Sequence, residues 1–296
     1  MTERGKFTLD SGQRSAVVWF TEDACQDVTV AGGKGASLAR MTAEGLPVPP
    51  GFVVPSYVLQ DSIDVERMLE LAASHSAREC QELVAATEPP EEEITAAYEN
   101  LVGPRRTATY KRAGGRKVAV RSSAVAEDSE AASYAGQQES YLFVEGAEEA
   151  CRRVVDCWAS FFSERALFYR SQKGSLEDVR MAVVIQKMVD PEKSGVIFTV
   201  DPVRRRRDRM VVEAVRGVGE QVVSGEVTPD HYALDRKGMV KREKIVDERV
   251  LTEEELRRLG DLGTRLEELH GVAQDIEWAM VGEDIYLLQS RPVTTM

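Results

Sequence analysis

The sequence predicts a mixed α/β protein built in two parts. The first part alternates short β-branched segments, such as "SAVVWF" and "GFVVPSYVL", with helical patterns. From Val179 onward strand patterns predominate. Between the two parts lies "KGSLED", residues 173–178, a break of the kind that separates lobes. We therefore expect an N-terminal lobe over residues 1–178 and a C-terminal lobe over residues 179–296.

Composition and charge limit the class of protein. A chain of 296 residues with 43% hydrophobic residues can bury a substantial core. Its net charge of -12 argues against a general nucleic-acid binder, because nucleic-acid phosphates would be repelled. The longest apolar run, "MAVVIQKMV", is too short to cross a bilayer, and "MTERGKFTLD" lacks the apolar core of a signal peptide. We therefore predict a cytoplasmic protein without a membrane span.

The four cysteines do not have the spacing of a metal site. Cys25, Cys80, Cys151 and Cys157 form no CxxC pair and no cluster with histidine, which predicts free buried thiols. Any metal ion in this protein would then be held by oxygen ligands.

The periodicity of apolar residues predicts the elements in order. We expect strands at 15–20, 51–59, 117–123, 136–144, 181–189, 194–203, 209–215 and 230–235, two closing strands within 274–292, and helices after Lys34 and at 64–86, 88–102, 148–171 and 252–271. The aromatic residues of the helix at 148–171 fall on its apolar face, so we interpret them as core. Arg204 to Arg207 lie between two strands and are interpreted as a solvated hairpin loop.

The segment "AGGKGASLARM", residues 31–41, surrounds Lys34 with glycines. A Walker loop needs Ser or Thr directly after its lysine, and Gly35 stands there instead, so that interpretation fails. Two hypotheses remain open. In one, glycine backbone, Lys34 and the N-terminus of a helix near Ala36 bind an anion. In the other, the segment is a glycine turn before an ordinary helix.

The C-terminal segment "QDIEWAMVGEDIYLLQSRP" reads as a hairpin. If residues 282–284 form a three-residue loop, Val281 pairs with Ile285, and counting outward in twos places Glu277 opposite Gln289. The same count places Asp275 opposite Arg291 on this face. The residues predicted on the other face are Ile276, Trp278, Met280, Tyr286 and Leu288. One face of the hairpin is then apolar, and the other gathers carboxylates, an amide and a guanidinium.

This polar face suits a metal and a phosphate. A carboxylate opposite an amide oxygen, as in Glu277 and Gln289, offers the hard ligands that Mg²⁺ takes alongside water and phosphate oxygens. Arg291 could bind a phosphate through two donors. The alternative is a surface hairpin with an ion pair between Asp275 and Arg291.

A second polar segment is "KVAVRSSAVAEDSEAASYAGQQES". A strand delivers Arg121 at its end, and a loop of small residues leads to Gly136, Gln137 and Gln138. Such a loop can cover a polyphosphate with backbone donors. An ordinary polar connection between two strands is the alternative.

Seven segments occur in the order seen in a known family: "GGKGASLARM", "GLPVPPGFVV", "VRSSAVAEDSEAASYAGQQES", "VIQKMV", "SGVIFTVDPV", "VVSGEVTPD" and "QDIEWAM...LLQSRP". Over almost its whole length the chain resembles the N-terminal ATP-binding domain of phosphoenolpyruvate synthase, pyruvate phosphate dikinase and rifampicin phosphotransferase. The resemblance implies an ATP-grasp-like fold, with two α/β lobes and ATP in the cleft between them.

Carried over position by position, the resemblance also implies a site for ATP and Mg²⁺. Lys34, Arg121 and Arg291 match cations that contact the nucleotide phosphates, and Glu277 and Gln289 match magnesium ligands. The other matches are Asp275 as an acidic neighbour of the ligands, Gln186, Lys187, Met188 and Val189 as the adenine hinge, Glu213 at the ribose, and Gly136, Gln137 and Gln138 as the loop over the phosphates.

Two features depart from the family pattern. Family enzymes continue with a swivelling domain that carries a phosphorylated histidine, whereas this sequence stops at Met296. Its histidines, His75, His231 and His270, stand in no comparable Thr-rich setting and are interpreted as surface or helix-end residues. Arg216 stands where relatives commonly carry a small polar or aromatic residue, which affects details of the nucleotide pocket.

The resemblance implies a dikinase-type phosphotransferase that splits ATP to AMP. The β-phosphoryl group would pass to a histidine on a separate partner, for onward transfer to pyruvate or another hydroxyl acceptor. Two alternatives stay open. The chain could be a nucleotide-sensing module that binds ATP without turnover, or an excised ATP-binding domain of a rifampicin phosphotransferase.

Overall fold

The computed structural model describes residues 14–103, 115–125, 139–173, 176–218 and 227–293. The strands are β1 (Val18–Trp19), β2 (Gly51–Val54), β3 (Lys117–Ala124), β4 (Ser140–Glu145), β5 (Met181–Lys187), β6 (Lys193–Phe198), β7 (Arg209–Arg216), β8 (Asp230–Asp235), β9 (Val240–Lys244), β10 (Gln274–Val281) and β11 (Asp284–Pro292). The helices are α1 (Val28–Ala43), α2 (Ser56–Ser62), α3 (Val65–Ala73), α4 (Ala77–Ala85), α5 (Glu91–Val102), α6 (Ala147–Ser160), α7 (Glu164–Lys173) and α8 (Glu253–His270).

Five antiparallel strands form the first sheet, in the order β1-β2-β5-β3-β4. Because successive side chains of a strand alternate between faces, Val118, Val120 and Val183 share one face. They are buried in a core that α2 to α7 complete, with Tyr98 and Trp158 among its largest members. Trp158 of α6 and the two residues Phe161 and Phe162 that follow it are buried in this core, as the sequence predicts, whereas Phe168 of α7 is 63% exposed.

The other face of the first sheet is only partly apolar. Ala119 and Arg121 of β3 lie on it, as does Val184 of β5, which pairs with Arg121. Val184 packs in a second core together with Leu38 and Met41 of α1. This face therefore carries α1 at one end and leaves the side chain of Arg121 beside a cleft.

Six antiparallel strands form the second sheet, in the order β11-β10-β6-β7-β8-β9. Ile197 and Trp278 are buried on one face and pack in the second core with Leu259 of α8. A capping box starts α8: Thr252 Oγ1 accepts a hydrogen bond from the Glu255 amide at 3.2 Å, and the Glu255 carboxylate accepts one from the Thr252 amide at 2.8 Å. The helix thereby covers the core face and leaves the opposite face for the cleft.

Helix α1 connects the two sheets. Residues of α1 share the second core with strands of both sheets. Ser37 Oγ donates to the Ser290 carbonyl of β11 at 2.8 Å, and the Leu287 amide donates to the Pro47 carbonyl at 2.8 Å. Two antiparallel sheets with a cleft between them give the ATP-grasp-like α/β fold that the resemblance implies, and this prediction is confirmed.

The chain changes sheets later than the boundary that we predict at residue 178. β5 lies between β2 and β3 in the first sheet, and the second sheet begins only with β6 at Lys193. The reason is that Val183 and Ile185 of β5 fill the first core. A division between residues 178 and 179 would remove a central strand from the first sheet, and the separation into two domains stays a prediction.

Candidate active site

The C-terminal hairpin has a shorter turn than predicted. Val281 pairs with Asp284 rather than with Ile285, so that Gly282 and Glu283 alone form the turn. Gly282 has a φ of 60°, in the left-handed region that glycine adopts without steric strain. The predicted three-residue loop is therefore wrong.

A β-bulge restores the predicted pairing farther from the turn. The register shifts between Glu277 and Trp278, and beyond this shift Glu277 pairs with Gln289 and Asp275 with Arg291, as the sequence predicts. A bulge places one extra residue in one strand, and this residue offsets the one lost from the turn. The four polar residues therefore lie in adjacent pairs.

The same two irregularities change the apolar face of β11. Ile285 and Leu287 are buried in the core, whereas Tyr286 and Leu288 are half-buried. Leu288 lines the cleft instead. The prediction that Tyr286 and Leu288 face the core is wrong, whereas three predicted core residues of β10 are buried: Ile276, Trp278 and Met280.

Arg121 reaches from the first sheet to the hairpin of the second. Its Nη2 donates to Gln289 Oε1 at 2.6 Å and to Glu277 Oε2 at 3.1 Å, and its Nη1 donates to the Leu288 carbonyl at 3.3 Å. The side chains of Arg121 and Glu277 are only 11% and 23% exposed. The predicted phosphate cation and the two predicted metal ligands therefore meet at one point.

Glu277 and Gln289 have the geometry of a small cation site. Among the described residues, no group of three or more His, Cys, Asp and Glu side chains could hold a metal by itself. Glu277 and Gln289 nevertheless direct two oxygens at a single cationic nitrogen. Mg²⁺ commonly takes one or two protein oxygens and completes its octahedron with water and substrate phosphate. These residues fit a magnesium ion that is bound together with a nucleotide.

Asp275 and Arg291 form an ion pair one step along the hairpin. Arg291 Nε and Nη2 lie 2.9 and 2.8 Å from Asp275 Oδ2. The Arg291 side chain is 42% exposed, whereas that of Asp275 is 13% exposed. Burial raises the pKa of Asp275 above its usual value, Arg291 opposes this, and the carboxylates of Glu277 and Glu213 raise it further.

Lys34 is buried inside a helix and not in a loop before one. Its Nζ donates to the Ser122 carbonyl at 3.0 Å, and the residue is 8% exposed. Ser122 directly follows Arg121 in β3, so the Lys34 side chain is bound to the residue next to the second predicted phosphate cation. The helix is predicted to begin near Ala36, whereas α1 begins at Val28 and its helical backbone resumes directly after an interruption at Gly32, so Lys34 lies in the first turn of that second segment.

A kink at Gly32 places Lys34 against β3. Gly32 has φ 68° and ψ 177°, which interrupts the helical backbone of α1. At this kink Ser123 Oγ donates to the Ala31 carbonyl at 2.8 Å and accepts from the Gly35 amide at 3.2 Å. A Cβ on Gly32 would collide with the carbonyl oxygen of Ser123. The glycines thus allow close contact between α1 and β3.

A cleft of about 400 Å³ lies between the two sheets. Its charged lining residues are Arg121, Glu139, Lys187 and Glu277, and its apolar lining includes Leu142, Met188, Val189 and Leu288. An apolar pocket with a few polar groups at one place is the usual form of a small-molecule site. Leu142 and Leu288 are lining residues that the sequence alone did not indicate.

The predicted adenine hinge lines this cleft. Gln186, Lys187, Met188 and Val189 all belong to its wall. The amides of Lys187 and Met188 already donate, to the Pro50 carbonyl at 2.9 Å and to the Lys117 carbonyl at 3.0 Å. A base read by these two N–H groups would have to break hydrogen bonds of the first sheet.

Glu213 lies in the row of the second sheet that contains Glu277. Val196 of β6 pairs with both of these residues, one on each side. Glu213 Oε1 lies 3.5 Å from His231 Nδ1. Gly195, which was not predicted as a site residue, lines the cleft, and a Cβ there would collide with the Glu213 carbonyl. A glycine within a strand was the available signal.

Two further sequence predictions concern the loop over the phosphates and Arg216. Gly136, Gln137 and Gln138 lie outside the described residues. Arg216 is exposed at the end of β7, where its Nη2 lies 3.1 Å from Glu248 Oε2.

The three histidines lie in different settings. His75 is exposed after α3, and His270 is the last residue of α8, as the sequence predicts. Burial lowers the pKa of His270. His231 is not at a helix end but within β8, with its side chain 23% exposed and its Nε2 buried.

The chain matches the family model of the pyruvate phosphate dikinase AMP/ATP-binding domain over residues 28–249 and 238–296. It therefore belongs to this family of AMP/ATP-binding domains, and the resemblance in the sequence is confirmed. Among curated relatives, it is 41% identical to a probable phosphoenolpyruvate synthase of Archaeoglobus fulgidus, over 95% of this chain and 42% of that protein. It is 38% identical to a probable phosphoenolpyruvate synthase of Methanothermobacter thermautotrophicus, over 95% of this chain and 46% of that protein.

A relative with a different printed activity also matches. The rifampicin phosphotransferase of Streptomyces sviceus is 37% identical over 91% of this chain and 35% of that protein. The chain thus spans less than half the length of each of these three relatives. Within the described ranges, no helix has the length and apolarity that a membrane crossing requires.

Proposed function

We propose that this chain is the nucleotide-binding part of a dikinase-type phosphotransferase and that its cleft binds magnesium-ATP. The observation that carries the proposal is the meeting of Arg121 with Glu277 and Gln289 at the wall of the cleft. A phosphate cation and two hard oxygen ligands at one point suit a polyphosphate with a divalent metal. Membership of the AMP/ATP-binding domain family supports the same ligand.

The proposed nucleotide lies along the cleft with its base at the apolar end. Met188, Val189 and Leu142 would contact the base, and the polyphosphate would extend toward Arg121. Lys34 is held beside Arg121 through the Ser122 carbonyl and would supply a second cation. Arg291, on the next pair of the hairpin, would supply a third.

Glu277 and Gln289 would hold the magnesium ion, which neutralises phosphate charge when it is bound. The work of these protein residues is then positioning and charge stabilisation, which provide most of the catalysis in phosphoryl transfer. Glu213, in the same row of the sheet, would accept a hydrogen bond from the ribose. Asp275 would orient Arg291 through their ion pair.

The proposed reaction requires a histidine from elsewhere. His75, His231 and His270 do not line the cleft. When AMP leaves, the bond between the α–β bridging oxygen and the β-phosphorus breaks, and a histidine nitrogen bonds to that phosphorus. The histidine nitrogen then carries both the β- and the γ-phosphate, so water must attack the γ-phosphorus and release inorganic phosphate in a separate step before the β-phosphoryl group is transferred onward. We propose that a phosphohistidine domain on a partner supplies this nitrogen in trans.

The acceptor of the onward transfer is proposed from the relatives. Their printed names, phosphoenolpyruvate synthase and rifampicin phosphotransferase, indicate pyruvate or another hydroxyl compound. Such an acceptor would bind outside the nucleotide cleft and would receive the phosphoryl group from the partner histidine.

The test follows both products of one reaction. The protein is mixed with ATP labelled at the β-phosphate and with a candidate phosphohistidine domain, and label and nucleotide are measured separately. We expect label on the partner histidine, AMP as coproduct, and slow or no turnover by the chain alone, because a closed cleft excludes water as acceptor. Fast release of labelled ADP by the isolated chain would contradict the proposal. Tight ATP binding without transfer to any partner would favour the nucleotide-sensing module.

A further inference from the structure

The guanidinium of Arg121 occupies the position of a cation at the second sheet. Among the described residues its hydrogen-bond acceptors are Gln289 Oε1, Glu277 Oε2 and the Leu288 carbonyl, which all belong to β10 and β11. Arg121 itself comes from β3, and 156 residues separate it from Glu277 along the chain. The first sheet thus places a positive charge on the oxygen pair that the second sheet offers to a metal.

This contact and a bound metal exclude each other. Nη2 lies between the two oxygens, at 2.6 and 3.1 Å, and a magnesium ion bound to both oxygens would need the same space. Both groups are positive, and the surroundings are largely buried, so water screens their repulsion only weakly. A metal can bind to Glu277 and Gln289 only after Arg121 has moved away.

One donor of the guanidinium is unsatisfied among the described residues. Arg121 Nε is buried, and among the described residues no acceptor lies within hydrogen-bond distance of it. A buried donor without an acceptor is costly, and a phosphate in the cleft would supply acceptors for the Nε side of the guanidinium. A nucleotide phosphate would therefore satisfy a donor that the hairpin leaves without an acceptor.

We propose that Arg121 is a built-in counter-cation that keeps divalent metals off Glu277 and Gln289 until a polyphosphate draws it away. The proposal rests on the proposed function, since it assigns Arg121 to the phosphates in the bound state. Metal alone binds weakly, and metal and nucleotide bind cooperatively. Linkage requires the reverse as well: a metal at this pair releases Arg121 for the phosphates and so favours nucleotide.

The proposal predicts opposite effects of one substitution on two ligands. Removal of the Arg121 charge should lower the affinity for ATP, because a phosphate donor is lost. It should raise the affinity for a metal ion in the absence of nucleotide, because a competing cation is lost. A residue that only supports the fold would weaken both ligands. The sign of the change in metal affinity therefore separates the proposed role from a structural one.

The experiment titrates Mn²⁺, as a paramagnetic probe, into the full chain without nucleotide and follows free Mn²⁺ by electron paramagnetic resonance. We expect Arg121→Met to bind one Mn²⁺ at least tenfold more tightly than the unmodified chain. Arg121→Lys, which keeps the charge, should stay close to the unmodified chain. The double variant Arg121→Met with Glu277→Gln should not show this increase in Mn²⁺ affinity.

A matched control corrects for net charge. Arg180 is paired with Asp178 at 2.8 Å and does not line the cleft, so Arg180→Met removes one positive charge elsewhere. Its Mn²⁺ affinity should change much less than tenfold. Thermal unfolding checks that each variant is folded, and Arg121→Ala replaces Arg121→Met if the latter is not.

Two results would overturn the proposal. One is an unchanged or weaker Mn²⁺ affinity in a folded, neutral Arg121 variant. The other is a gain that persists in the double variant, because the metal would then bind away from Glu277. Failure of the proposed function is a different result: the unmodified chain would not bind ATP in a parallel calorimetric titration, whatever the Mn²⁺ data.

Discussion

The two sheets contribute opposite charges to the proposed site. The first sheet and the helix against it supply cations, Arg121 from β3 and Lys34 from α1. The second sheet supplies acceptors, Glu277, Gln289 and Glu213. A polyphosphate needs cations and its metal needs oxygens, so each sheet carries half of the proposed site. Nucleotide binding is therefore expected to depend on the contact between the sheets as much as on either sheet alone.

The two acidic residues of the C-terminal hairpin differ in the same way, because only one of them pairs with an arginine of the first sheet. Asp275 and Arg291 lie on paired strands and form their ion pair without the first sheet. Glu277 is an acid one step along the same face, but its arginine comes from the other sheet. The ion pair of Asp275 with Arg291 can therefore form within the hairpin, whereas the ion pair of Glu277 with Arg121 forms only when the two sheets are in contact.

The first prediction, with the largest expected change in affinity, distinguishes the two phosphate cations from the apolar part of the cleft. Lys34→Ala and Arg121→Ala should each weaken ATP far more than adenosine, by about 2 to 5 kcal/mol, because a buried charge-assisted hydrogen bond is lost. Calorimetric titration of both ligands measures the difference. Arg180→Ala serves as the control for charge. Equal losses for ATP and adenosine would remove the phosphate assignment.

The next effect tests the acceptor side. Glu277→Ala should weaken ATP in the presence of magnesium by roughly tenfold or more, since loss of even an outer partner of a metal ligand commonly costs about 10- to 100-fold. With a chelator present, its affinity for ATP should change much less. Glu283→Ala, an exposed change in the turn of the same hairpin, is the matched control. A folded Glu277→Ala chain with unchanged magnesium-ATP affinity contradicts the metal role.

A third prediction concerns stability and not ligand affinity, and tests the contact of α1 with β3 that places Lys34. Gly32→Ala should destabilise the fold by about 3 kcal/mol, because it combines a left-handed backbone with a collision against the Ser123 carbonyl. Gly45 also has a positive φ, but nothing lies within 4 Å of an added Cβ, so Gly45→Ala should cost only about 1 kcal/mol. Urea unfolding compares the two. Equal losses would mean that the Ser123 contact does not matter.

The smallest effect is a pH dependence from Asp275. Burial raises its pKa in the folded state, so the folded chain holds a proton that the unfolded chain has released. This contribution to stability is present below the unfolded pKa of Asp275 and is lost as the pH rises through the folded pKa. Asp275→Asn should flatten the stability curve in that window, as measured by urea unfolding at several pH values. An unchanged slope would contradict the raised pKa.

The alternation of strands predicted much of the hairpin. Glu277 opposite Gln289 and Asp275 opposite Arg291 followed from counting in twos, and both pairs are present. The count succeeded although the turn was wrong, because the bulge after Glu277 offsets the shorter turn. No local signal in the sequence marks a bulge within a run of ordinary strand residues.

Contacts between distant segments could not be counted from the sequence. The meeting of Arg121 with Glu277 depends on two separate sheets and on α1 between them, and only the family resemblance indicated that both belong to one site. The kink at Gly32 was missed for a similar reason, since it depends on Ser123 of another element. The late change of sheets after β5 depends on which core β5 fills, a property of tertiary packing.

The most direct test of the account is a crystal structure of the chain with magnesium and a non-hydrolysable ATP analogue. We expect the metal at about 2.0–2.1 Å from the side-chain oxygens of Glu277 and Gln289. Arg121 should have left these oxygens and should bind the phosphates together with Lys34, while the base lies against Met188 and Val189. A nucleotide bound outside the cleft, or a metal that bridges the phosphates without Glu277 while Arg121 stays on the hairpin, would contradict the account.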